Sequence, residues 1–218
     1  MATRFLLQSS TYCKIALEHL FAGEAAYQEA QTISADPCDS YDYNALLRRE
    51  KLGNASEQFL VTVCFSAMAL ESFIYDYAAR FLGDGYTSKY LDKLDAVSKW
   101  LVVPRLITSK ELDRGGQSME LLRDLVRQRN QMIHAKSRPF TPEAAMAYLD
   151  AQGEEDDRQM AIRALQAVYL LAQDLDELDP EATCRFLLGI GSSYEPRQFT
   201  VDKTWAKFLK LAGMPVKG

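Results

Sequence analysis

Residues 57–83, "EQFLVTVCFSAMALESFIYDYAARFLG", constrain the fold more than any other stretch, because their apolar positions recur at helical spacing without a breaker before Gly83. At about 100° per residue, Leu60, Cys64, Ala67, Glu71, Ile74 and Ala78 fall on one narrow stripe. Such a stripe has to be laid against other helices. Asn54 or Ser56, in the preceding "LGNAS", can act as an N-cap, which predicts an interruption between this helix and the Ala- and Leu-rich stretch that begins near Tyr43. Gly83 then ends the helix from the C′ position.

The remainder of the chain has the same character. Residues 11–31 have helix-forming composition and stop before the loop signal "SADPCDS". "TSKYLDKLDAVSKWLVVP" predicts a shorter helix that starts from a Thr or Ser cap and halts at Pro104. After the polar connection "ITSKELDRGGQS", Ser118 can cap a helix running to about Lys136, since Pro139 forbids more. Thr141 and Pro142 open a short helix, "PEAAMAYLDA", and "DDRQMAIRALQAVYLLAQDLDEL" forms a strong one bounded by "QGEED" and Pro180. The tail has irregular Gly and Pro and one amphipathic piece around Trp205 to Leu211. Strand alternation appears nowhere. An all-α antiparallel bundle of about five to seven helices is expected, as a single domain over 1–180 with a C-terminal extension over 181–218 that carries a short helix.

The 218 residues, 48% of them apolar, can fill a substantial core. A formal charge of −5 gives no overall electrostatic case for nucleic-acid binding, so any anion site must be local. No run approaches the roughly 18 consecutive apolar residues of a membrane span, and "MATRFLLQSSTYCK" has too short an apolar core for a secretory signal. A cytoplasmic chain without membrane association is expected. Cys13, Cys38, Cys64 and Cys184 are widely spaced and lack a nearby histidine, so they are read as free thiols; no metal or cofactor is expected.

Two polar residues contradict their surroundings. Glu71 occupies the apolar stripe of its helix, where an ionised carboxylate needs a cation. Along "MELLRDLVRQRNQMIH", Leu122, Val126, Arg129 and Ile133 share one stripe, which makes Arg129 the second misfit. A cross-helix ion pair between Glu71 and Arg129 is the expectation. A second stripe, Arg123, Arg127, Asn130 and His134, is openly polar. From Leu121 to Arg138, five cations stand against Asp124 alone, a local charge of +4 in an acidic chain. His134, near the helix C-terminus, is placed for acid–base work near neutral pH.

"RNQMIH", Arg129-Asn130 followed by three residues and His134, resembles the Arg, polar, three-residue, His signature of HEPN-domain proteins. "CFSAMALESFIYDYAARFLG" resembles the HEPN helix whose small residues and acidic position pack against the motif helix. "SKWLVVPRLITSKELDRGGQSMELLRDLVRQRNQMIHAK" is similar to the lead-in of a bacterial branch of that superfamily. The likeness runs from roughly Gln58 to Lys136, with the following helix 157–178 consistent, for a HEPN-like core of about 57–178. It implies a helical domain that dimerises with its motifs facing one another, often as a metal-independent endoribonuclease in toxin, phage-defence or RNA-processing systems. Two positions after the histidine, where toxins silenced by nucleotidyl transfer carry tyrosine, this chain has Lys136, so that control is not expected.

On this reading His134 is the acid or base, Arg129 holds the phosphate or positions the histidine, Asn130 donates a hydrogen bond, and Glu71 supports Arg129. Arg127, Arg123 and Lys136 are candidate RNA phosphate ligands. Five residues of helix turn roughly 140°, which separates Arg129 from His134, whereas Arg127 lies about 20° from the histidine's direction. Expected partners are RNA, a second copy of the chain, and an antitoxin or defence-system protein. The competing class is a non-catalytic HEPN-like interaction or scaffold protein.

Overall fold

The computed structural model describes residues 7–34, 43–133, 154–182, 184, 187–188 and 203–215. Within them the fold is an all-α helical bundle. Its spine is a hairpin of two long helices, α1 (Leu7–Thr32) and α2 (Tyr43–Leu82). The interruption expected at "LGNAS" is absent, and α2 runs straight through it. Glycine inside a helix costs only about 1 kcal/mol, while continuity keeps Leu52, Ala55 and Phe59 buried along one face on both sides of Gly53. The antiparallel register is pinned by Thr62 donating to the Ala16 carbonyl at 3.2 Å, by His19 Nδ1 against Gln58 Oε1 at 2.5 Å, and by Lys51 with Glu29 at 2.8 Å. His19 is thereby a structural residue of the hairpin.

The two helices approach most tightly at Gly23, where a Cβ would lie 2.6 Å from the Phe59 ring. Phe59 is itself only 1% exposed, so the ring has little room to withdraw. Gly23→Leu is therefore expected to destabilise the protein by about 2 kcal/mol, an overpacking cost partly offset by better helix propensity. Urea unfolding measures this; a variant as stable as the parent would mean that Phe59 can repack freely.

A third long helix, α6 (Glu154–Leu178), lies parallel to α2. Ser56 donates to Asp157 near one end, and Tyr77 donates to Asp179 at 2.6 Å near the other. The helix between them in sequence, α5 (Gln117–Ile133), runs antiparallel to α6, with Ser118 bonded to Asp174 at 2.5 Å and Asp124 to Arg163 at 2.5 Å. Ser118 is thus not the N-cap that its position suggested: the helix already includes Gln117, and the buried Ser118 hydroxyl is used across the bundle. By length and composition α2 is apolar enough to cross a membrane. In this fold its apolar side chains instead make the centre of the core, where Phe59, Leu70, Phe73, Ile74 and Tyr77 meet Trp100, Met119, Leu122 and Tyr169.

The stretch 87–104, expected as one helix, is divided. A helical turn, α3 (Asp84–Tyr86), passes into a π-helical turn over Thr87–Leu91, and α4 (Ala96–Thr108) begins afresh. Asp95 is its N-cap, accepting from the Ser98 backbone N–H at 3.0 Å and from the Ser98 hydroxyl at 2.5 Å. Those bonds hold the Asp95 carboxyl below its usual range. Pro104 does not halt α4; it lies buried within it beside Val103, and the helix ends at Ser109 in the left-handed conformation (φ 61°). Burial of Trp100, Val103 and Pro104 on one side holds this last turn despite the missing N–H. The tail helix, α7 (Lys203–Leu211), buries Trp205, Phe208 and Leu209 completely in the same core. The helix expected over "PEAAMAYLDA" lies outside the described residues.

Candidate functional site

The helix bearing the Arg-Asn pair packs against α2 and α6, and its apolar face fades toward its C-terminal end. Leu121, Leu122 and Leu125 are buried, Val126 and Arg129 are half-buried, and Ile133 is 53% exposed. Arg129 thus stands at the edge of the core. It lies near Cys64 of α2: burial raises the Cys64 thiol pKa, and the positive charge of Arg129 pulls it back. The Arg129 guanidinium donates to Asn130 Oδ1 at 3.0 Å. With its oxygen so engaged, Asn130 retains amide N–H groups as donors.

Glu71 does not pair with Arg129. Its cation is Lys99 of α4, at 3.6 Å, and Lys99 is held at 3.6 Å by Asp92 as well. The Lys99 side chain is 5% exposed and that of Glu71 is 47% exposed. The reason for the error is angular. The buried face of α2 runs through Val63, Ser66, Leu70, Phe73 and Tyr77. Glu71, one residue beyond Leu70, is turned about 100° from it and reaches the rim. A double-mutant cycle in stability should give Glu71 and Lys99 a coupling of about 0.5–1 kcal/mol, modest because Glu71 is half in water. The same cycle between Glu71 and Arg129 should give less than about 0.5 kcal/mol; a larger value would restore the pairing expected from sequence.

The basic stripe is real but internally tied. Arg123 donates to the Arg114 carbonyl at 2.7 Å, and Arg127 to Asp124 Oδ1 at 2.9 Å. Asp124 uses its second oxygen for Arg163 of α6, at 2.5 Å. Arg163 was missed in the sequence because it lies 39 residues beyond Asp124 on a helix read only for its apolar face. His134 and Lys136 lie outside the described residues, as does Cys38. Among the described residues Cys64 and Cys184 are free thiols, and burial raises the Cys184 pKa well above its usual value.

The opposite end of the α5–α6 pair is acidic. An open cleft of about 340 Å³ there is lined by Glu111, Asp113, Asp174 and Glu177, with Leu112 and Leu170 among its apolar walls. Among the described residues, no three His, Cys, Asp or Glu side chains are grouped to hold a metal ion. No protein-family model matches the chain, and neither a curated protein nor a solved structure matches it.

Proposed function

We propose that this chain is a HEPN-like, metal-independent endoribonuclease that works as a homodimer. The observation that carries the reading is that α5, bearing Arg129 and Asn130, packs in an all-α bundle against α2 and brings that pair to the edge of the core. In the proposed reaction, a base removes the proton of an RNA 2′-hydroxyl and the oxygen attacks the adjacent phosphorus. The bond to the 5′-oxygen breaks, that oxygen leaves with a proton, and a 2′,3′-cyclic phosphate remains. His134 is assigned the proton transfers, Arg129 the phosphate or the histidine's placement, and Asn130 a donated hydrogen bond.

One chain contributes a single histidine to this chemistry, since His19 is bound to Gln58 in the α1–α2 hairpin. A symmetric pair of chains supplies two copies of His134 to one cleft. The cellular setting that goes with this reading is cytoplasmic phage defence or a toxin system, with an antitoxin or defence partner. A second reading, a non-catalytic helical scaffold, is favoured by one specific feature: Arg123, Arg127 and Arg129 each already donate within the chain.

Incubating purified protein with mixed RNA in EDTA, alongside His134→Ala, separates the two. Cyclic-phosphate ends that vanish in the variant support the ribonuclease. No cleavage by a folded chain, or a monomer by light scattering at micromolar concentration, counts for the scaffold.

A further inference from the structure

One carboxylate on the described surface is shared by two arginines from different helices, α5 and α6. Asp124 of α5 accepts from Arg127 Nη2 on one oxygen and from Arg163 Nη2 on the other, at 2.9 and 2.5 Å. Each guanidinium commits a single nitrogen to Asp124, which leaves most of its five donors unspent. Their side chains are 66% and 50% exposed, against 27% for Asp124. The carboxylate cancels one of two positive charges. What remains is a pair of guanidinium groups, held in fixed relation, with a net charge of +1 and donors turned to water.

Stability does not account for this arrangement, because exposed ion pairs are worth little and each costs side-chain entropy. Orientation does. Two planar forks fixed beside each other suit the oxygens of a phosphate, and the ordering cost is met before any ligand arrives. Arg123, one helical turn before Arg127, extends the positive strip. At the other end of the same helix pair, Asp113, Asp174 and Glu177 of the cleft disfavour a phosphate, Glu111 being already paired with Arg105 and Arg114.

We propose that Arg127 and Arg163, bridged by Asp124, form a cradle for one backbone phosphate of a single-stranded RNA, and that α6 thereby contributes an RNA-binding residue. The choice of RNA as ligand rests on the ribonuclease reading above; the cradle itself rests on the Asp124 geometry.

The test is binding of a fluorescein-labelled oligouridylate by anisotropy, in a His134→Ala background so that the probe stays intact, with and without Arg163→Ala. Loss of one charge-assisted phosphate contact should weaken binding roughly tenfold at low salt. It should also reduce the slope of log K against log salt by about 0.7, the counterion release of one contact on a single strand. Circular dichroism checks that these surface variants stay folded.

Unchanged affinity and slope in Arg163→Ala, absence of binding by the parent, or competition by polyglutamate as effective as by unlabelled RNA would each overturn the cradle. The two proposals fail separately. Arg163-dependent binding by a chain that cleaves no RNA keeps the cradle and removes the nuclease, while His134-dependent cleavage indifferent to Arg163 does the reverse.

Discussion

Replacing Trp205 by alanine is expected to destabilise the protein by about 3–5 kcal/mol, the range found when a large aromatic is cut out of a core. Trp205 is fully buried, donates its indole N–H to the Leu188 carbonyl at 2.8 Å, and packs its ring against Tyr169 and Phe208 with centroids 5.5 and 5.4 Å away. The substitution removes the ring, leaves a cavity, and strips a buried carbonyl of its donor. Trp205→Phe keeps the packing and loses only the hydrogen bond, so its cost should be smaller by at least half. Denaturant unfolding of both variants measures the difference. A cost below about 1 kcal/mol for Trp205→Ala would mean that α7 unfolds independently of the bundle, since surface-like sites rarely exceed that.

The largest functional effect is expected at His134. General acid–base catalysis typically contributes about 10²- to 10⁴-fold, so His134→Ala should lower the rate of RNA cleavage by that factor while leaving the melting transition unchanged. The two arginines should then divide by role. Arg127 is exposed and, among the described residues, bonded to Asp124, so Arg127→Ala should reduce cleavage or binding at little cost in stability. Arg129 is half-buried beside Cys64, and Arg129→Ala should touch both quantities. Equal cleavage by the parent and His134→Ala would end the ribonuclease proposal, whatever the arginines do.

Much of the architecture was legible in the residues, for reasons that differ element by element. The helix 157–178 and the amphipathic piece Trp205–Leu211 were visible because apolar spacing and bounding turns agreed; the observed helices are Glu154–Leu178 and Lys203–Leu211. Breaker residues misled in two places. Gly53 and Pro104 carry local preferences of a few kcal/mol at most, and burial of Leu52, Phe59, Trp100 and Val103 around them outweighs those preferences. The Asp95 cap was overlooked because Thr87 and Ser88 offered the same chemistry earlier in the segment. At the site, the polar stripe of α5 was legible from angle alone, but the partners of Glu71 and Asp124 were not. Lys99 and Arg163 come from other helices, and charge pairing across helices depends on rim positions that a stripe drawn 100° off centre cannot place.

The parallel packing of α2 and α6 has a consequence for how the chain matures on the ribosome. Ser56 finds Asp157 across 101 residues, so at roughly 5–20 residues per second α2 emerges some 5–20 seconds before its largest late partner exists. During that interval a helix apolar enough for a bilayer would stand at the ribosome without that partner. α1 is already made by then. Because the hairpin closes through neighbours in sequence, with Gly23 opposite Phe59, one flank of α2 can be covered as soon as it appears. The order of the helices along the gene is, in this sense, a form of protection against aggregation and mistargeting.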